Sequence, residues 1–263
     1  MKNIQRLLNL AAQLRHPETG CAWDKKQTFK SLTKYTLEEA YEVIDAIERE
    51  DMTELQAELG DLLFQVVFYA QIASEQALFD FDKVAGDVTD KLIRRHPHIF
   101  SDVVYANEQE QQQAWNEIKA LERQYKSNNT DTILSGVAKN LPALVYSHKI
   151  QDRAAEHGFD WQTTAPVFDK VLEELDEVKE AWQSGDQAHI EEEIGDLLLV
   201  AVNLARHMNV DAEQALKKST EKFTQRFEHM EQHLSRSERE VKSCSLEELE
   251  SLWLNAKQHL ASH

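Results

Sequence analysis

Apolar residues recur at helical spacing in nearly every segment of this chain that lies between breakers. Leu37, Tyr41, Ile44 and Ile47 fall three or four apart and form one stripe. Glu39 and Glu42 lie on a different face of the same turn pattern. Thr36-x-x-Glu39 reads as a capping box opening that helix, Asp51-x-x-Glu54 as the start of the next, and Ser245-x-x-Glu248 as the start of the last. No alternation of apolar and polar residues runs long enough to require a sheet. With 7 Gly and 4 Pro in 263 residues, many short strands joined by tight turns are disfavoured. The pattern predicts an all-α chain.

The pattern also repeats. Glu39, Glu42, Glu58, Gly60 and Asp61 each recur 135 positions later, as Glu174, Glu177, Glu193, Gly195 and Asp196. Three further motifs, one upstream and two downstream, recur in the same order with small length changes. Trp23 matches Trp161, Lys91 and Arg95 match Lys222 and Arg226, and Trp115 and Lys119 match Trp253 and Lys257. The repeat implies two homologous units, 1–128 and 129–263, joined in the polar stretch from Arg123 to Asn140.

The repeated carboxylates are the main chemical signal. Glu39 and Glu42 point to one side of a helix, as do Glu58 and Asp61. A short connection at Glu50 and Asp51 makes the two helices antiparallel neighbours, so four carboxylates can surround one small volume. Glu174, Glu177, Glu193 and Asp196 offer the same set. Glutamate pairs on helices are usually a solvated face, and Glu38, Glu48 and Glu180 are read that way. The second pair is different, because "LLFQVVF" follows Asp61 and "LLLVAV" follows Asp196. Such helices are expected to be buried, and clustered carboxylates there need a cation. A hard divalent ion such as Mg2+, with phosphates completing its shell, suits an all-oxygen set. Gly60 and Gly195 interrupt good helices, either for simple packing or for close approach of a neighbour.

Composition narrows the partners. A formal net charge of −18 repels a phosphate backbone, so no nucleic-acid partner is expected. Apolar runs are too short to cross a bilayer, and the amino terminus does not resemble a signal peptide. Cys21 and Cys244 give neither a disulfide framework nor a zinc motif, which fits a cytoplasmic protein. Lys222 and Arg226 share a helix face and either pair with surface glutamates or clamp phosphate oxygens. Trp253 is either a platform for a base or a core residue. The two units differ at Asn203, whose counterpart is Phe68, and at Glu191 and Glu192, whose counterparts are Gln56 and Ala57. Spare carboxylates beside a metal suit a general base, so the C-terminal unit is expected to be the more active.

E-E-x-x-E, a spacer and E-x-x-D in an all-α chain resembles the MazG-type nucleoside triphosphate pyrophosphohydrolases. Glu38-Glu39-x-x-Glu42 with Glu58-x-x-Asp61 carries the likeness, as does Glu173-Glu174-x-x-Glu177 with Glu193-x-x-Asp196, and it spans essentially the whole chain. The resemblance implies tandem helical bundles that form four-helix-bundle-like cores in a homodimer. It also implies magnesium-dependent cleavage of NTPs and dNTPs to a nucleoside monophosphate and pyrophosphate. By position it implies that Glu174, Glu177, Glu193 and Asp196 are metal ligands. Lys222, Arg226 and Trp253 then contact nucleotide, with Lys170, Glu173 and Glu192 lining the same pocket. Glu173 or Glu192 is the expected proton acceptor. There is no G-x-x-x-x-G-K-[ST] loop, so metal and side chains must hold the phosphates. A di-iron bundle is excluded by the lack of any Glu-x-x-His pair. The remaining alternative is a non-enzymatic acidic helical adaptor that binds metal and a basic partner.

Overall fold

The computed structural model describes residues 2–126 and 132–260. They form helices and connecting turns, with no strand among them. The chain divides into two units, Met1–Lys126 and Ser127–His263. The boundary expected near residue 128 lies outside the described residues.

The N-terminal unit contains α1 (Lys2–Leu14), α2 (Phe29–Glu48), α3 (Met52–Glu75), α4 (Phe81–Arg95), the short α5 (Pro97–Phe100) and α6 (Glu108–Lys126). The C-terminal unit contains α7 (Ala143–Ala155), α8 (Ala165–Ser184), α9 (Gln187–His207), α10 (Ala212–Ser235) and α11 (Leu246–Leu260). The dominant packing in each unit is an antiparallel hairpin, α2 on α3 and α8 on α9.

Both hairpins reverse by the same device at positions 135 apart. Glu50 (φ 56) and Gly185 (φ 72) take the left-handed conformation that ends a helix. Glycine does so without a Cβ penalty, whereas Glu50 does not have that freedom. The next residue caps the returning helix. Asp51 accepts from the backbone N–H of Thr53 and Glu54, and Asp186 accepts from that of Ala188. Two aspartate caps thus set the register that brings the carboxylate pairs of the two arms face to face.

The start of α2 is not where its sequence signature placed it. The helix begins two turns earlier, with Thr28 as cap and a reciprocal box between Thr28 and Ser31. Thr36 is inside the helix, bonding the Leu32 carbonyl and the Tyr69 hydroxyl. Apolar Phe29 and Leu32 carry the helix through the earlier turns, because both pack into the core formed by Ala11, Val67, Phe68 and Ile72. The Ser245–Glu248 box does form and opens α11.

Arg15 ties this unit together. Its guanidinium donates to Glu75 at the end of α3 and to the carbonyls of Asp24 and Gln27 in the segment before α2. In the C-terminal unit Arg206 has a comparable task, joining α9 to Asp160 through a bond to its carboxylate and holding Asn203 Oδ1.

Replacing Arg15 by Ala leaves the carbonyls of Asp24 and Gln27 without this donor and releases Glu75 to solvent, and is expected to destabilise the N-terminal unit by about 1–2 kcal/mol in urea unfolding. Arg15 holds the Glu75 carboxyl below its ordinary value of 4.5. The contribution is therefore present above that value and is lost as pH falls through the lower folded one. The gap between the two proteins should narrow under acid.

Candidate metal and nucleotide site

One oxygen each from Glu39, Glu58 and Asp61 lies within 4.8 Å of the others. The same is true of Glu174, Glu177 and Glu193 in the C-terminal unit. Glu174 and Glu177 are a turn apart on α8, and the Asp186 cap sets α9 so that Glu193 comes opposite them. The remaining expected ligands stand aside from these groups. Glu42 is outside the first trio, although its charge acts on both Glu39 and Glu58. Asp196 is outside the second trio.

Asp61 and Asp196 were expected to be buried, and both are exposed. Within one chain, α3 and α9 bury only part of their apolar surface. Val67, Phe68, Val200 and Val202 are enclosed, whereas Leu59, Val66, Leu198 and Leu199 remain open. Neither reading of Gly60 and Gly195, simple packing or close approach, is met within one chain, since a Cβ added at either would meet nothing within 4 Å.

The electrostatics are those of sites in which carboxylates outnumber the cations beside them. Burial, followed by the charges of Asp61 and Glu42, pushes the Glu39 carboxyl above its ordinary range. Burial, then Glu42 and Asp61, does the same to Glu58. Burial and the charge of Glu174 raise Glu177 against the opposing pull of Lys170. Glu174 is itself buried, at 6% exposure. Lys170 Nζ sits 2.7 Å from its Oε1, and its Oε2 has no hydrogen-bond partner. A buried carboxylate oxygen without a donor, beside two more carboxylates, fits a hard cation with oxygen ligands.

The other expected site residues fall into two places. Glu173 is exposed at the rim and accepts from Lys170 at 2.8 Å. Glu192 is exposed on α9 and belongs to neither trio. Lys222, Arg226 and Trp253 gather on α10 and α11. The Arg226 guanidinium lies 5.6 Å from the Trp253 ring centre, and Phe223 packs on the same ring. The N-terminal unit repeats this stack, with Arg95 at 5.5 Å from Trp115. There, however, Arg95 is also bound by Glu122 at 2.6 Å. Among the described residues no hydrogen bond or ion pair joins Lys222, Arg226 or Trp253 to the carboxylates of α8 and α9.

Two residues at the site escaped the sequence reading. Gln65 is buried and donates to Glu39 Oε1 at 3.4 Å, so an amide supports this ligand where Lys170 supports Glu174. His189 lies one turn before Glu193, with Nε2 at 3.1 Å from its Oε1. Its i,i+4 spacing was the available signal. The corresponding Glu54 is held instead by Arg49. Asn203, which distinguished the two units in sequence, is buried against Arg206 rather than placed among the carboxylates.

The chain matches the family described as the MazG nucleotide pyrophosphohydrolase domain twice, over residues 27–100 and 162–231. It is 50% identical to the nucleoside triphosphate pyrophosphohydrolase of Escherichia coli (strain K12), over 98% of each chain. It is 42% identical to the nucleoside triphosphate pyrophosphohydrolase/pyrophosphatase MazG of Thermotoga maritima, over 97% of this chain and 95% of that one. A 35% identity to the nucleoside triphosphate pyrophosphohydrolase of Mycobacterium tuberculosis covers 59% of this chain and 46% of the relative.

Carboxyls whose folded pKa is raised bind protons more readily in the native state. The metal-free protein should therefore gain stability from Glu39, Glu58 and Glu177 as pH falls through their raised values, and have least of it above them. Magnesium chloride should raise the thermal midpoint by a few degrees near neutral pH, and by less in acid, where protons compete. Scanning calorimetry at several pH values checks this. A Glu58→Gln/Glu177→Gln protein should not respond, and a metal-insensitive midpoint in the parent chain would count against the site.

Proposed function

We infer that this chain, which belongs to the MazG nucleotide pyrophosphohydrolase family, is a hydrolase that cleaves nucleoside triphosphates to the monophosphate and pyrophosphate. We extend this to magnesium dependence and to both NTPs and dNTPs as substrates. The observation that carries the extension is the unpartnered Oε2 of buried Glu174 beside Glu177 and Glu193. Glu174, Glu177 and Glu193, with Asp196 one turn beyond, would hold Mg2+ in the C-terminal unit. Glu39, Glu58 and Asp61, with Glu42 adjacent, would do so in the N-terminal unit. When bound, the ion would supply Lewis acidity to the phosphate oxygens and acidify water in its shell.

The chain's own groups account for the rest. Glu173 is exposed beside Lys170 and Glu192 is exposed next to Glu193 in the chain, and either is a candidate to take the proton of a water attacking the α-phosphorus. Lys170 bonds both Glu173 and Glu174, so it fixes a ligand and a candidate base together. Lys222 and Arg226 take the charge of the departing pyrophosphate. Trp253 offers a flat surface for the base. Recognition by metal and phosphate is blind to the sugar's 2′ position, which is why both NTPs and dNTPs are included.

A homodimer is supported by apolar residues left open at equivalent places in the two hairpins. Leu37 and Leu172, Ile47 and Trp182, and Leu59 and Ile194 are each 135 apart and exposed, Trp182 at 71%. Pairing two-helix hairpins across such a face makes a four-helix bundle. A cytoplasmic setting is supported by two unpaired cysteines, Cys21 and Cys244. No helix among the described residues is long and apolar enough to cross a membrane. The exposure of Asp61 and Asp196 removes one objection to the acidic-adaptor reading, which turnover of nucleotide decides.

Incubation with each NTP and dNTP, resolved by ion exchange, should give monophosphate and pyrophosphate only with magnesium. Glu177→Gln in a Glu58→Gln chain should lower the rate at least about 100-fold with the helical circular dichroism retained. Diphosphate with free phosphate would overturn the cleavage position, and no turnover would favour the adaptor. In light scattering, Leu172→Asp/Trp182→Glu should shift the protein from dimer towards monomer.

A further inference from the structure

The two carboxylate trios are alike in their acids and unlike in what holds them. In the C-terminal unit the buried carboxylate of Glu174 is met by Lys170 from its own helix, with Nζ at 2.7 Å. The position 135 residues earlier is Tyr35, which packs on the core and brings no cation to Glu39. In the N-terminal unit the donor comes from the opposite arm of the hairpin. Gln65 on α3 gives Nε2 to Glu39 Oε1 at 3.4 Å. The position 135 residues later is Val200, which is buried and has nothing to donate. Among the described residues no cation eases Glu39 or Glu58, whereas Lys170 eases Glu177.

Charge therefore sets the two sites apart. Three carboxylates with a neutral amide present one more negative charge to an ion than three carboxylates with a lysine. A divalent ion is drawn more strongly to the first set, and the charge count of the ligands is a main control of affinity for hard cations.

Gln65 also points to an occupant. It is 9% exposed, and its Oε1 has no hydrogen-bond partner. One end of the amide rests on a carboxylate and the other end lacks a donor, deep enough that bulk water does not supply one. Mg2+ keeps several of its own waters, and such a water is a donor of the right kind beside Glu39.

We propose that Gln65 is a positioning residue that makes the Glu39, Glu58 and Asp61 trio a resident divalent-cation site, filled without nucleotide and ahead of the C-terminal trio. Lys170 keeps the C-terminal trio partly neutralised, so its ion is held chiefly when the phosphate oxygens of a substrate join the shell. This rests on the metal-dependent hydrolase reading and specifies the order in which the two sites load.

Titration of the whole chain with Mn2+, which takes oxygen ligands as Mg2+ does, tests the order when free ion is followed by electron paramagnetic resonance and no nucleotide is present. Two steps of unlike affinity are expected, each of about one ion per chain. The tighter step should vanish in Glu58→Gln and survive in Glu177→Gln. Gln65→Val installs the residue found at the equivalent place in the C-terminal unit. It should weaken the tighter step about 10-fold and leave the other step where it was. That unmoved step, with unchanged circular dichroism, separates a role at the ion from a loss of fold. Gln65→Met, which keeps the length of the side chain without its amide, should behave as Gln65→Val does. Lys170→Met should shift the weaker step towards the tighter one.

Loss of the tighter step in Glu177→Gln instead of Glu58→Gln, a single step for both sites, or Gln65 variants that bind Mn2+ as the parent does would each overturn the proposal. Turnover plays no part in this readout. A chain that loads Mn2+ in the stated order but hydrolyses no nucleotide sinks the hydrolase reading and leaves the order standing. Hydrolysis by a chain that loads in the reverse order overturns the proposal alone.

Discussion

Like charges held close together set the terms for the rest of this molecule. Three carboxylate oxygens within 4.8 Å in each unit repel one another, and burial adds to the strain by penalising the charged form. A solitary helix would relieve that repulsion by rotating its side chains into water. The hairpin prevents this, because a left-handed residue and an aspartate cap fix where α3 and α9 begin. Under the proposed reading, a small, hard, doubly charged ion would relieve that repulsion.

The two units resolve the same problem with different supporting side chains. Lys170 holds Glu174 by an ion pair, and Gln65 holds Glu39 by a long amide hydrogen bond. His189 reaches Glu193, whereas Glu54 is turned away towards Arg49. On the basic arm the contrast reverses in sign. Arg95 has an internal carboxylate partner in Glu122, and Arg226 keeps only its aromatic neighbour among the described residues. The arginine without an internal carboxylate partner among the described residues is therefore the one in the C-terminal unit. The residues that make this difference are not those on which the sequence suggested a more active C-terminal unit.

Much of the fold was legible because it depends on local rules. Helical spacing, scarce breakers and the Asp51 and Ser245 caps gave the helices, and the 135-residue offset gave the repeat. Thr36 misled because capping chemistry is shared by helix interiors, where a threonine hydroxyl bonds the preceding turn. Asp61 and Asp196 misled because an apolar run was taken to mean burial within one chain. Gln65 was passed over because its partner Glu39 lies on another helix, and His189 because its one signal was a single i,i+4 spacing to Glu193.

The sequence by itself determined which groups are available: two sets of four carboxylates at turn spacing, each followed by a basic pair and a tryptophan. Such spacing is a property of the helix and needs no neighbour to define it. Only the tertiary structure decided which three carboxylates converge, which arginine is already neutralised, and that α7 packs against both α9 and α10. Those outcomes depend on how helices distant in sequence pack. One-dimensional spacing cannot encode that packing, because the same amphipathic faces admit more than one partner.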